Sequence, residues 1–391
     1  MMTNENPFRK QVLENIQNLE KNVIDTSRYI HEHPETGGEE YKSSARLISE
    51  LEKHGFRVEK GVGGMDTAFK AKIKGRSGGP RIAFLAEYDA LGSLGHACGH
   101  NFIGTASAFA GIALNAVIRD IKGEIVVVGT PGEENLGGKI ILLENGVFDD
   151  SDVAMMVHPS NETRFQAKSL AAQVWEFEFL GKPAHAAAMP WRGVNALDAL
   201  IQMFVSVDQM RKQQLPTVRT PGIITYGGER ANIVPERAVG RFSCRGENFN
   251  EFLKVIERVK RCAEGAALSA GAKVEYRSLG PVYKDMKTNQ PLANLFEKNW
   301  RELGGIAQEN PDKGQGSLDI GNISYVMPCI HPSVKIAPPD VANHTKEFAR
   351  LAGSPSSDEP LLMSVKTLAL TALDVLMNPE IFAEIKNANN S

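Results

Sequence analysis

Long apolar runs are missing from this sequence. No stretch of about 18 uninterrupted apolar residues occurs, so no membrane span is expected. The opening MMTNENPFRKQVLENIQNLEKN is polar and lacks the apolar segment of a secretory signal, which points to a cytoplasmic chain. Cysteine is scarce: only Cys98, Cys244, Cys262 and Cys329 occur in 391 residues, widely spaced and with no CxxC pair. Reduced thiols are expected, not a disulfide framework. Charge of one sign is missing as well. Lys and Arg number 44 against 47 Asp and Glu, a formal net charge of −3 with no long run of either sign. That balance leaves no electrostatic footprint for nucleic acid or an anionic membrane. No GxSxG follows an apolar run, which argues against a serine-nucleophile hydrolase.

What is present is ordinary globular composition, 42% hydrophobic and 23% charged. The length allows two to three domains. Residues 8–54 read as helical, interrupted by the turn-rich IHEHPETGGEE. Three short apolar runs follow, Arg81–Ala86, Glu124–Gly129 and Val153–Val157, separated by helical stretches near Ile103–Ile118 and Lys139–Asn145. Such runs suit strands buried on both faces, and their alternation with helices predicts an α/β domain with a mostly parallel sheet.

From about residue 171 the pattern changes. Trp175, Phe177 and Phe179 alternate with Glu176 and Glu178, as in a strand with one wet face. A helix near Asn195–Gln213, strands at Gly222–Gly227 and Ala238–Arg245, a helix at Phe249–Ala270 and a strand at Lys273–Ser278 complete a β-α-β-β-α-β order. That order predicts an inserted α+β ferredoxin-like domain. Its expected bounds are 170–284, inside a domain built from 1–169 and 285–391. The last part returns to helices at Leu292–Leu303 and Pro360–Leu376, with loops between them that hold His331 and His344.

Chemistry gathers behind the three apolar runs. The first is followed by Glu87, Asp89, His96, Cys98 and His100, the second by Glu133 and Glu134, the third by His158. Open α/β sheets bind ligands beyond the carboxyl ends of their strands. Cys98 and His100, two apart in a glycine-flanked loop, could chelate one ion, and adjacent Glu133 and Glu134 would need a cation or a shared proton if buried together. Each motif alone has a commoner reading: a buried thiol near a loop histidine, a solvated acidic turn, a capping or loop histidine at His158 or His344. Convergence at the strand ends is what favours a site. His185, Asn232, Arg241 and Arg245 read by spacing as surface residues. His31, His33 and His54 read as structural, and Cys244 and Cys262 as core.

The motifs HEHPETGGEE, AEYDAL, GHACGHN, PGEENLGGK, VHPSNET, GKPAHAA, the Gly-Gly-to-NIVP stretch, GSLDIGNIS and NHTKEF occur in one order along nearly the whole chain. In this the sequence resembles the aminoacylase/carboxypeptidase family of dinuclear metallohydrolases, family twenty among the metallopeptidases. It is most similar to the branch with aminobenzoyl-glutamate hydrolases, auxin-conjugate hydrolases and aminoacylase-like dipeptidases. The resemblance implies a metal-dependent amidohydrolase acting on small N-acyl amino acids, dipeptides or aminobenzoyl-glutamate-like conjugates. The readings set against it are an endopeptidase on larger peptides and a non-catalytic binding homologue.

The resemblance also implies roles. Cys98 would bridge two divalent ions where other branches use Asp; His100 and His158 would complete one ion's shell, Glu134 and His344 the other's. Glu133 would be the general base and Asp89 the carboxylate orienting His100. His185 would reach an active site from the smaller domain, often the partner subunit's, and Asn232 and Arg241 would contact substrate. The smaller domain would serve as lid and homodimer contact. The donor set suits zinc best, with Mn, Co or Ni also able to fill it. Leu91 is followed by Gly92-Ser93 where the family has proline, and PGEE and GSLD replace its PAEE and GSTD. These departures bear on substrate preference, not on the metal chemistry.

Overall fold

The computed structural model describes residues 6–309 and 316–389. The chain divides into two compact units; Ser169–Asp285, with a short segment ending at Leu318, form the smaller one.

The larger unit opens with α1 (Pro7–Glu32) and α2 (Tyr41–Lys53), then the strands β1 (Arg57–Lys60), β2 (Phe69–Lys74) and β3 (Arg76–Ala86). Helix α3 (His100–Leu114), β4 (Lys122–Gly129), α4 (Gly138–Glu144), β5 (Val153–Met155) and β6 (His158–Ser160) follow. The six-stranded sheet has the order β1-β2-β4-β3-β5 and then a short strand that arrives much later in the chain. Strands β3, β4 and β5 run parallel, and the registers Ala86↔Gly129 and Phe84↔Met155 bring their carboxyl ends to one edge. Their runs are apolar throughout because both faces are covered: Ile82–Ala86 and Ile125–Val128 are buried.

Strands β1 and β2 add an antiparallel edge that the apolar-run pattern does not reveal. In β2, FKAKIK, lysines alternate with apolar residues, and Lys70 and Lys72 both pair with Asp150. The third expected strand also differs: β5 stops at Met155, and His158 begins a separate two-stranded sheet.

Every residue of α3 is buried. It lies against the sheet at Gly104, where a Cβ would meet the Glu87 carbonyl at 2.5 Å. This close approach draws the start of α3, and so His100, down to the end of β3.

The smaller unit runs β7 (Ala171–Leu180), α5 (Ala196–Arg211), β8 (Gly222–Tyr226), β9 (Arg237–Gly246), α6 (Phe249–Ala270) and β10 (Lys273–Tyr283). Its antiparallel sheet has the order β10-β7-β9-β8, with Phe177, Phe179 and Phe242 packed with both helices in one core. This is the expected two-layer β-α-β-β-α-β sandwich.

The chain then completes the larger unit with α7 (Gln290–Glu302), α8 (Ile320–Ser324), β11 (Cys329–Ile330), β12 (Ser333–Lys335), α9 (Lys346–Ala352), α10 (Asp358–Met377) and α11 (Pro379–Asn389). β11 joins the main sheet parallel to β5, and β12 pairs with β6. The stretch Pro355–Met377 is long and apolar enough to cross a membrane by length and composition, a property that Ser364, Lys366 and Thr367 hide from a search for uninterrupted runs. Here it is a core helix: 67% of its most apolar window is buried, and α10 packs on α1, α3 and α7.

Candidate metal centre

The shared edge of β3, β4 and β5 is where the side chains converge. Beyond β3, Asp89 Oδ1 accepts from His100 Nδ1 at 2.8 Å, and its Oδ2 accepts the Glu134 backbone N–H at 3.0 Å. One carboxylate thus orients a ring and anchors the loop that follows β4. Both Asp89 and His100 are buried. Burial works against the Asp89 charge, but the His100 ring beside it holds the carboxyl below its usual range.

Cys98 lies two residues before the start of α3. Gly99 separates it from His100 in the left-handed region, φ 79°, with Pro159 so near that a Cβ would approach its Cγ to 2.5 Å. The Cys98 sulfur is 3.4 Å from His158 Nε2. His158 Nδ1 hydrogen-bonds the Pro159 carbonyl at 2.7 Å, which leaves Nε2 turned to the sulfur. His344 arrives from the far end of the chain. Its backbone takes φ 66°, the one positive φ outside glycine among the described residues, and its N–H donates to the Ala97 carbonyl at 2.8 Å. That conformation costs of order 1–2 kcal/mol. It carries His344 Nε2 to 3.2 Å from Glu134 Oε1. Thr345 then caps α9 through the Phe348 N–H.

Three groups of donor atoms lie mutually within 4.8 Å: Cys98, His100 and His158; Cys98, Glu134 and His344; and His100, Glu133 and Glu134. Cys98 belongs to the first two. Thiolate, imidazole and carboxylate are the donors divalent transition metals take. The surroundings ask for a cation. Glu87, Asp89, Glu133, Glu134 and Asp319 crowd the edge, and the buried His100 Nε2, Glu134 Oε1 and Glu87 Oε2 make no well-formed hydrogen bond: His100 Nε2 faces Glu87 Oε2 at 3.3 Å, and Glu134 Oε1 faces His344. Desolvation opposes a charge on His100, yet Asp89, Glu87 and Cys98 drive its proton affinity well above the ordinary value. Cys98 and Glu134 push His344 up to about 10. A metal ion on those ring nitrogens would take the place of the protons, so the residues fit a metal pair.

Glu133 is only partly exposed. Burial, followed by the Asp319 and Glu87 charges, raises its carboxyl well above the usual range. A carboxylate that readily holds a proton is what a general base requires.

Sequence reasoning named Glu87 without a role and did not single out Lys139, Asp319 or Glu40. Lys139 is fully buried, its ammonium 2.5 Å from Glu87 Oε1 and 2.7 Å from Asp319 Oδ1. The two acids come from loops far apart in the chain, and spacing carried no sign of the triad; the motifs AEYDAL, PGEENLGGK and GSLD hold its members one each. His331, beyond β11, is buried with its ring 5.2 Å from that of His158. His96 lies apart from the donor groups: it hydrogen-bonds the Ile30 carbonyl, and burial pushes it down to about 3. His31, His33 and His54 each bind a backbone carbonyl, and Cys244 is core.

Glu40, from the GGEE turn, is buried and accepts the Gly132 N–H at 2.8 Å, the Gly38 N–H at 2.9 Å and the Thr67 hydroxyl at 2.8 Å. It pins the turn leading into Glu133. Burial pushes its carboxyl from 4.5 up to about 7. A raised folded-state value means that its contribution to stability is complete below the unfolded value and is lost as pH rises through about 7. Between pH 5 and 8 the wild type is expected to lose up to ~3 kcal/mol relative to Glu40→Gln. Parallel plots of Tm against pH for the two proteins would contradict this.

In the smaller unit, His185 is exposed, and its Nδ1 accepts from the Ala187 and Ala188 N–H groups at 3.3 and 3.2 Å. In the neutral ring this leaves Nε2 as the donor nitrogen. Asn232 is exposed in the loop bridged to it through His185↔Ile233. Arg241 lies on the helix-free face of the sheet, where its guanidinium pairs with Glu176 at 2.8 Å beside Arg277.

Residues 172–270 match the family model described as a peptidase dimerisation domain. The chain is 35% identical to the Xaa-Arg dipeptidase of Mus musculus, over 97% of this chain and 91% of that protein. It is 28% identical to a chain of the p-aminobenzoyl-glutamate hydrolase of Escherichia coli strain K12, over 92% and 90%. Among solved structures, a dinuclear metal-binding peptidase of the M20 family from Bacillus subtilis shares the fold at a TM-score of 0.65 and 21% identity, covering 89% of this chain and 98% of that one.

Proposed function

The chain belongs to the M20 family of metallopeptidases and is a hydrolase of C–N amide bonds; on that premise we propose that it releases amino acids from small N-acyl amino acids, dipeptides or aminobenzoyl-glutamate-like conjugates, with Cys98, His100, Glu134, His158 and His344 as the residues that would hold two zinc ions. The observation that carries this reading is the place of Cys98 in two donor groups at once, beside a carboxylate, Glu133, that neither group needs. One thiolate, three imidazoles and one carboxylate favour zinc over Mn, Co or Ni.

Bound ions at these donors supply Lewis acidity, which acidifies a water and polarises an amide carbonyl. The chain's own groups do the rest. Asp89 holds the His100 ring through Nδ1 and the Glu134 loop through its backbone, so both donors keep their aim. Glu133 Oε takes the proton of the attacking water and later hands it to the departing amine nitrogen. His185, with its proton on Nε2, donates to the oxyanion, and Asn232 and Arg241 contribute substrate contacts from the same unit. Support for a homodimer comes from edge strand β8 and neighbouring α5, which expose Ile223 (63%), Ile224 (46%), Ile201 (46%) and Val205 (55%) on the unit that matches a dimerisation domain. The reducing cytoplasm would keep the Cys98 thiol available.

A panel of N-acyl amino acids, Xaa-Arg dipeptides, aminobenzoyl-glutamate and longer peptides tests the reading. Metal-dependent release of amino acid from the small amides is expected, with internal bonds of longer peptides left intact. Turnover confined to internal bonds would transfer the assignment to an endopeptidase, and no turnover on any member would favour a binding protein.

A further inference from the structure

Glu133 sits on a loop, and two carboxylates hold that loop from either side of it. The backbone N–H of Glu134, directly after Glu133, donates to Asp89 Oδ2 at 3.0 Å. The N–H of Gly132, directly before Glu133, donates to Glu40 Oε1 at 2.8 Å. The Gly132 carbonyl is occupied as well, accepting from the Leu136 and Gly138 N–H groups at 3.0 and 3.2 Å. Asp89 has a second task at His100. Glu40 binds Gly132, Gly38 and Thr67, none of which belongs to the donor groups of the metal centre.

Glu40 is itself held fast. It is 0% exposed and stands at the start of α2, where its own carbonyl accepts the Ser44 N–H at 2.9 Å. Its second oxygen takes the Gly38 N–H at 2.9 Å and the Thr67 hydroxyl at 2.8 Å. Thr67 carries the link onward: its carbonyl accepts the Tyr88 hydroxyl at 2.6 Å, and Tyr88 is the chain neighbour of Asp89. The turn also presses on the loop directly, since a Cβ at Gly37 would meet the Gly132 Cα at 2.7 Å. Three donors on two oxygens suit an acceptor-only group; an amide would turn its own N–H against one of them. Burial opposes the Glu40 charge, so folded stability near neutral pH gives no reason for a carboxylate here. The loop that it holds does.

Resting on the assignment of Glu133 as the base, we propose that Glu40 is a positioning residue for the hydrolysis, fixing through the Gly132 N–H where the Glu133 carboxylate stands. The turn HEHPETGGEE then acts on turnover while touching neither substrate nor ion. A reacting group misplaced by about 1 Å loses on the order of 10²-fold in rate. Metal affinity is spared, because Asp89 still anchors Glu134 and His100.

Glu40→Gln tests this. It keeps the size of the side chain and one acceptor oxygen, and it removes a buried charge, so the variant is expected to fold. Its kcat is expected to fall about 10–100-fold, with KM within about threefold of the wild type and the metal content unchanged. The same substitution is then made in Glu133→Gln. A residue that acts through Glu133 has nothing left to position there, so the residual rate should fall no further. Glu35→Gln controls for damage to the turn: the Glu35 carboxylate accepts from the Lys42 and Ser43 N–H groups close by, and kcat near that of the wild type is expected. An unchanged kcat in Glu40→Gln would overturn the proposal. So would loss of metal, an equal fall in both backgrounds, or the same fall in Glu35→Gln, since each makes Glu40 a support of the fold at large. Full activity in Glu133→Gln alone would instead sink the base on which the proposal rests.

Discussion

Glu133→Gln is expected to retain both metal ions while kcat falls by about 10³-fold or more, the scale lost with a general acid–base. Glutamine preserves the volume and most of the polarity of the side chain but cannot take up a proton. The environment of Glu133 explains why the wild-type residue can. Burial and the charges of Asp319 and Glu87 hold its carboxyl well above the usual range, while Lys139 and His100 pull the other way. Two cations at the neighbouring donors would pull further down, toward a value where the group can both accept and release a proton near neutral pH. KM should stay close to that of the wild type, because the lost interaction forms only as the proton moves. Geometry leaves a second role open to measurement, since a Glu133 oxygen lies within 4.8 Å of donor atoms on His100 and Glu134. Loss of an ion along with activity would make Glu133 a ligand.

Cys98→Ala is expected to lose both ions and with them all detectable turnover. Its sulfur is the atom common to two of the three donor groups, so its removal breaks both, leaving His100 with His158 and Glu134 with His344. Bound metal stabilises a fold that the unfolded chain cannot match, so chelator should lower the Tm of the wild type and leave that of Cys98→Ala unmoved. Cys98→Asp should recover part of the metal content with a preference shifted toward Mn, because a carboxylate is the harder donor. One ion retained in Cys98→Ala, at wild-type affinity, would show that the sulfur serves a single site.

The legible parts of this molecule were those that burial writes into the sequence. Strands β3 and β4 are covered on both faces, so they appear as apolar runs, and the chemistry at their ends was visible because it follows those runs directly. The alternation of Phe177 and Phe179 with Glu176 and Glu178 likewise reports a sheet with helices on one side only. The edge pair β1–β2 escaped because β1 is short and mostly exposed and β2 carries lysines at every second position. His344 was a plain loop histidine until its positive φ and its bond to Ala97 showed the loop folding back onto Cys98; no spacing encodes a contact between residues so far apart. The Lys139–Glu87–Asp319 triad was hidden for the same reason. A buried ion cluster is assembled from the first turn of α4 and two distant loops, and each member alone resembles a surface charge. Glu40 looked like one of two acids in a turn, and only burial distinguishes it from Glu39.

The most direct test of the shared-thiolate centre is the metal content of the zinc-saturated wild-type chain after free ion has been removed. Two zinc ions per chain, both absent from Cys98→Ala treated in parallel, are the expected result. One ion per chain in the wild type, or none, would contradict it.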